Sequence, residues 1–303
     1  MKLRNLLATA ITLVAATAFA AEGNFDKTLT VSGQTNLSIS TGSGYVHVFP
    51  GSDNQVHIIG RVHVRTGLLG GTDAESTLKH IVDDPPISQS GNSITVSNLP
   101  GNSGLFRNVS IDYEVTTPST TTLKVRAGSG TIEIGGIEGT VDAGSGSGSI
   151  NVENIGANAR LATGSGHIHA AKVHGGATLQ TGSGGVELSV TGPGDVKAGT
   201  GSGSISIDGV SGGLRASAGS GSIHVSGDPA GEWRIESGSG SIRVQTPQNA
   251  RFNVNAETGS GGIRVDHPIV MQGSMNKHHV VGAVNGGGPT IRTSTGSGSI
   301  TLD

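Results

Sequence analysis

The residues of this chain that could do chemistry are few and scattered. Gly209-Val210-Ser211-Gly212-Gly213 has the spacing of a nucleophile elbow, in which a strand-to-helix turn holds a serine exposed beside histidine and aspartate partners. Lys172-Val173-His174-Gly175-Gly176 fills the corresponding slot of an earlier repeat, so the glycines there read as a turn between strands. Ser76 and Lys79 have the S-x-x-K spacing of penicillin-recognising serine enzymes, and Ser52-Asp53-Asn54 resembles their second motif. The order is reversed and no K-T-G follows, which marks a coincidence.

Metal and sugar chemistry have one candidate set each. His167 and His169 share an outward strand face, and Glu187 follows His169 by one repeat, so two imidazoles and a carboxylate could approach a zinc ion. Isolated surface histidines on a strand are the simpler reading, and no metal site is assigned. Glycoside cleavage needs two carboxylates about 5–9.5 Å apart. Glu133 and Glu187 share a column but lie three repeats apart, about 14 Å at the strand spacing of a sheet. Calcium-binding β-rolls use nine-residue repeats with an Asp ligand, and here the period is doubled and the Asp position is filled by other residues. No catalytic residue, metal or cofactor is expected.

A third pattern is electrostatic. Four residues before each Gly-Ser-Gly stand Lys124, Asp142, Arg160, Thr178, Lys197, Arg215, Arg234, Asn255 and Arg292. Six of these nine are basic: Lys124, Arg160, Lys197, Arg215, Arg234 and Arg292. Stacked about 5 Å apart in water, like charges repel by less than about 1 kcal/mol per pair, so the column is tolerable as solvated edge charge. It also matches a linear anionic polymer, such as an envelope polysaccharide or another cell-surface component.

The elements that position these residues are set by a repeat. The first Gly of each Gly-Ser-Gly falls at 128, 146, 164, 182, 201, 219, 238, 259 and 296, a period close to 18 until the last step of 37. Such a period marks a stacked repeat. Four residues after that Gly stand Ile132, Ile150, Ile168, Val186, Ile205, Ile223, Ile242, Ile263 and Ile300, and two residues later Ile134, Val152, Ala170, Leu188, Ile207, Val225, Val244, Val265 and Leu302. Period-two alternation of this kind is a strand with one buried face. A second alternating set precedes the glycines, for example Leu123 and Val125, or Trp233 and Ile235. Each rung is strand, turn, strand and Gly-Ser-Gly corner. The corner glycines allow close approach where a Cβ would collide, and aligned Ser hydroxyls could bond along the column. The fold class is therefore all-β, a single-chain β-solenoid (parallel β-helix-like) with rungs of about 18 residues and two short strands.

Residues 21–49 read as the first rung, with Leu37, Ile39, Val46 and Val48 in register. Residues 50–118 read as an inserted cap with a helix near 73–82, opened by a capping box of Thr72 and Glu75. Residues 119–303 read as repeat rungs, with one rewritten rung between 262 and 295. The strand in "SITLD" ends the sequence without cover, which allows self-association through terminal rungs.

The first residues, "MKLRNLLATAITLVAATAFAAEG", have Lys2 and Arg4, an apolar run from Leu6 and Ala18-Phe19-Ala20, the pattern of a signal peptide spanning residues 1–20. No later run is long enough for a membrane helix. The formal charge of −3, without a basic run, speaks against nucleic acid. The absence of cysteine excludes disulfides and a thiolate nucleophile.

Together, a signal peptide, the "LSISTGSGYVHV" rung, the helix-bearing insertion, "VSIDYEVTTPSTTTLKVRAGSGTIEI", tandem "GSGSI" rungs and "GGGPTIRTSTGSGSITL" resemble the bacterial "putative adhesin" family, a domain of unknown function. That resemblance implies a β-solenoid of the cell envelope and carries no catalytic residues. The expected function is an exported, non-enzymatic structural or binding module, periplasmic or at the cell surface. The alternatives are a self-assembling scaffold and, more remotely, a polysaccharide-active enzyme.

Overall fold

The structure is a computed structural model that describes residues 20–65, 74–97, 108–271 and 276–303. Two long sheets of 13 and 14 strands face one another, and successive rungs contribute one strand to each. From Ile132 to Gln245 the first strands of the rungs pair in parallel, with Ile150 opposite Ile168, Val186 opposite Ile205 and Ile223 opposite Ile242. The second strands do the same on the other sheet, where Leu161 meets Leu179 and Leu214 meets Trp233. Inward residues of both sheets form one core of Ile, Val, Leu and Ala, and the turn residues Ile137, Ile155, Val173, Val190 and Val210 close its side. Burying each Ile, Val or Leu side chain stabilises the fold by about 1.5–3 kcal/mol, and each Ala methyl by less. Trp233 is wholly buried in this core, and its indole N–H donates to the Gly212 carbonyl at 2.9 Å.

The Gly-Ser-Gly corners stack so closely that side chains are excluded. A Cβ on Gly146 or Gly148 would overlap the carbonyl oxygen of Gly128 or Gly130 in the rung below. The expected hydrogen bonds along the column come not from the motif's Ser but from the residue just before the motif: Thr163, Thr181, Thr200, Ser237, Thr295 and Thr258 donate to the second-glycine carbonyl of the adjacent rung's corner at 2.8–2.9 Å. Ser147, Ser165 and Ser183 inside the motif are exposed instead. A hydroxyl residue fits there because its oxygen satisfies a buried backbone carbonyl that would otherwise go unpaired.

Asn36–Ser43 and Val46–Pro50 form the first rung and lie directly on Thr122–Ser129 and Ile132–Gly135. Residues 20–30 are not part of it. Ala20–Thr30 is an antiparallel edge strand along Gln55–Arg65, which pairs antiparallel with Val109–Thr117. Helix Ala74–Asp83 covers these strands with Ala74, Thr77, Leu78 and Ile81, at helical spacing. Leu78 reaches to 3.1 Å of where a Gly23 Cβ would stand. Glu75 lies in the first turn, where its charge suits the helix dipole. Thr72, its expected capping partner, lies outside the described residues.

The far end differs from the expected order. Thr290–Ser297 and Ile300–Leu302 do not end the stack. They lie between the rung of Trp233–Ser239 with Ile242–Gln245 and the rung of Phe252–Ser260 with Ile263–Val265. The "SITLD" strand is thus paired on both sides and offers no free edge. Among the described residues of 262–295 there is no rewritten rung either. His279–Val284 runs antiparallel beside Phe252–Ser260, and Ile269–Met271 pairs antiparallel with His279–Val284 beyond it. This excursion carries the chain around the Phe252 rung and returns it one layer inside. The strands that do finish the sheets there, Ile263–Val265 and Ile269–Met271, are three residues each, a length that blunts edge pairing. No described helix is long and apolar enough to cross a membrane.

Candidate binding surfaces

Alternation along the second strands turns the −4 position outward, and parallel register stacks it into one column. Lys124 faces Asp142, Asp142 faces Arg160, and Arg160 faces Thr178. Beyond Thr178 come Lys197, Arg215, Arg234 and then Arg292, each the direct partner of the last. The insertion of the 290–297 strand therefore places four basic residues on four successive strands. All six basic residues of the column are exposed.

Local partners divide the column. Asp142 pairs with Arg126 at 2.7 Å and Arg234 with Glu236 at 2.7 Å. Among the described residues Lys124, Arg160, Lys197, Arg215 and Arg292 form no ion pair. A cleft of about 580 Å³ lies against Lys197, Arg215 and Arg234, and Asp195 and Glu232 border it from the turn side. The Asp195 carboxylate is already engaged by the backbone N–H of Gly213 at 2.8 Å. Beside the column, the outward positions Gly144, Ala162, Gln180, Gly199 and Ser217 are mostly small and floor a trough of about 730 Å³. The surface offers a line of cations next to a shallow channel.

The catalytic and metal candidates are not brought together. Ser211 sits in an exposed turn that leads into a strand, not a helix. Lys79 is bound to Asp83 at 2.7 Å on the solvent face of the helix. Glu133 pairs with His47 at 3.3 Å and Glu187 with His169 at 3.0 Å, so both carboxylates are committed to separate histidines. His167 turns instead to the corner, its Nδ1 accepting the Gly185 N–H at 3.1 Å. Among the described residues no group of three ligands could hold a metal ion.

One surface feature is absent from the sequence reading. Tyr45, His47 and Phe49 form a row of rings on the outer face of the other sheet, with Tyr45 and His47 stacked at 4.4 Å. Their period-two spacing in "YVHVF" is the signal that could have shown it. The Tyr45 hydroxyl is pushed above its ordinary pKa, first by burial and then by its hydrogen bond to Glu114.

Residues 157–303 match the family model of Toastrack DUF4097. No curated protein matches the chain. Solved structures that resemble it include a "putative cell adhesion protein" from Clostridium sporogenes, at 12% identity over 92% of this chain and 99% of that one, TM-score 0.25. Others are a "putative adhesin" from Bacteroides fragilis (13%, 93% and 97%, TM-score 0.36) and a "putative lipid binding protein" from Parabacteroides distasonis (13%, 92% and 96%, TM-score 0.36). Residues 157–303, just under half of the chain, are thus similar to the Toastrack DUF4097 family.

Proposed function

We propose that the protein is an exported, non-enzymatic binding module of the bacterial cell envelope, and that it holds an anionic polymer along Lys124, Arg160, Lys197, Arg215, Arg234 and Arg292. The observation that carries this reading is the uninterrupted run of Lys197, Arg215, Arg234 and Arg292 on adjacent strands, in which only Arg234 has an acidic partner. Charges spaced by the strand repeat, about 4.8 Å, meet a polymer whose own charges recur at short intervals without asking it to bend. The trough beside the column gives such a chain a place to lie. Export is supported by the basic, then apolar, then small-residue order of the first 20 residues.

The test is co-sedimentation of the purified protein with isolated cell envelopes at low and high salt, beside a variant with Lys197, Arg215 and Arg234 changed to Ser. Binding that both salt and the triple change abolish is expected. Binding indifferent to both, or none, would overturn the assignment.

A further inference from the structure

The described aromatic side chains divide sharply. Trp233, Tyr113 and Phe252 are fully buried and Phe25 is 4% exposed. The others, Tyr45 and Phe49, lie together on one strand face with His47 between them, and Phe49 is 40% exposed. At 40% exposure Phe49 forgoes a sizeable share of the roughly 1.5–3 kcal/mol that full burial would supply, and neither ring belongs to the core cluster. The ring centroids lie 4.4 Å apart from Tyr45 to His47 and 6.5 Å apart from His47 to Phe49.

The row is held in place before any ligand arrives. The Tyr45 hydroxyl donates to Glu114 at 3.2 Å and accepts from Arg61 at 2.9 Å, while Arg61 and Glu114 pair at 2.9 Å. His47 is stacked on Tyr45 and bound to Glu133. Beside Phe49 the next strand has Gly135, and beyond it comes Glu153. The missing side chain at Gly135 opens a cleft of about 320 Å³ between the Phe49 ring and Glu153, with Glu133, Asn151 and Gly136 also lining it. Lys172 orients Glu153 at 3.1 Å.

We propose that this cleft and the ring row bind an uncharged saccharide chain with equatorial hydroxyls. Such pyranoses present C–H faces that stack on aromatic rings, and hydroxyls at their edges that reach the oxygens of Glu133 and Glu153 and the amide of Asn151. The charge balance selects the ligand. Glu114 and Glu153 are balanced by Arg61 and Lys172 while Glu133 is held by an imidazole, so the face carries a small negative charge that disfavours a polyanion and gives a cationic peptide little to hold. It is a separate surface from the basic column, on the opposite sheet.

The experiment is calorimetric titration of the full chain with cellohexaose and with chitohexaose at low and high salt, with hexalysine as the peptide probe. At least one glycan should bind, independently of salt and of the Lys197, Arg215 and Arg234 changes. Phe49→Ala, at an exposed position, should weaken binding about tenfold or more, equivalent to about 1.4 kcal/mol, while Phe49→Trp should keep or improve it. Failure of both glycans to bind, glycan binding unchanged in Phe49→Ala, or Phe49-dependent binding of hexalysine alone would overturn the proposal.

Discussion

Arg234 and Arg292 are direct register partners on parallel strands, although five other strands separate them along the sequence. Their adjacency makes the basic column uneven. Lys197, Arg215, Arg234 and Arg292 are contiguous, whereas Lys124 is cut off by Asp142, itself paired with Arg126. If the column binds an anionic polymer, Arg292→Ser should weaken binding about as much as Arg215→Ser, each by up to about fivefold, since an exposed ion pair contributes about 0.2–1 kcal/mol. Lys124→Ser should change affinity little. Salt-dependent binding of each variant to a sulfated polysaccharide column would measure the gradient; equal effects at all six positions would contradict it.

The corner glycines are not equivalent, which permits a stability test within one motif. A Cβ on Gly164 would collide with the Gly146 carbonyl, but Gly42, in the first rung, has nothing within 4 Å of that position. Gly164→Ala should therefore destabilise by about 2–3 kcal/mol, as overpacking does. Gly42→Ala should be neutral or slightly stabilising, because it only restricts the unfolded chain. Urea unfolding midpoints of the two variants decide this, and similar losses in both would show that the stack is not what excludes the side chain.

Rung register is legible in the sequence because the apolar residue four places after each first Gly is never replaced by a polar one, from Ile132 to Ile300. Rung order is not. Gly238, Gly296 and Gly259 head chemically interchangeable corners, so the period says which residues share a column and not which rung lies beside which. His279–Val284, which pairs antiparallel with Phe252–Ser260 and is itself flanked by Ile269–Met271, decides the order, and neither strand follows the repeat. The basic column is legible for the same reason as the core, since it is strictly periodic. The ring row is not, because Tyr45, His47 and Phe49 occur once, and their neighbours Gly135 and Glu153 come from rungs whose adjacency only stacking reveals.

Tyr113 carries a different prediction. Its side chain is fully buried beside Phe25, with ring centroids 6.3 Å apart, and its hydroxyl has no hydrogen-bond partner. Burial pushes the phenol pKa far up, so it stays neutral throughout the ordinary pH range. An unsatisfied buried hydroxyl costs about 1–3 kcal/mol. Tyr113→Phe removes that cost while keeping the ring, and should raise stability by about 1 kcal/mol in urea titration. A clear loss would mean that the hydroxyl has a bonding partner in solution.

Strand Ile300–Leu302 should be among the least dispensable segments of the stack. Ile300 and Leu302 are buried between strands Ile242–Gln245 and Ile263–Val265. Asp303 continues this anchoring: its N–H donates to Val244 at 2.9 Å, its carbonyl accepts from Thr246 at 2.7 Å, and its side chain pairs with Arg243 at 2.5 Å. The hydrogen bond from Arg243 holds the Asp303 carboxyl below its ordinary value near 3.8, with burial opposing that shift. A carboxyl depressed in the folded state adds stability that is fully present above the ordinary value and is lost as pH falls through the depressed one. Asp303→Asn should therefore lower the melting temperature at neutral pH, and the gap to the parent should close as pH falls below about 3.8. Deletion of residues 300–303 should be far more damaging, because it removes the paired strand between two others and empties the core positions of Ile300 and Leu302. Thermal unfolding followed by circular dichroism across pH measures both. A pH-independent gap for Asp303→Asn would assign its effect to packing, and a deletion no worse than the point substitution would contradict the interior placement of the strand.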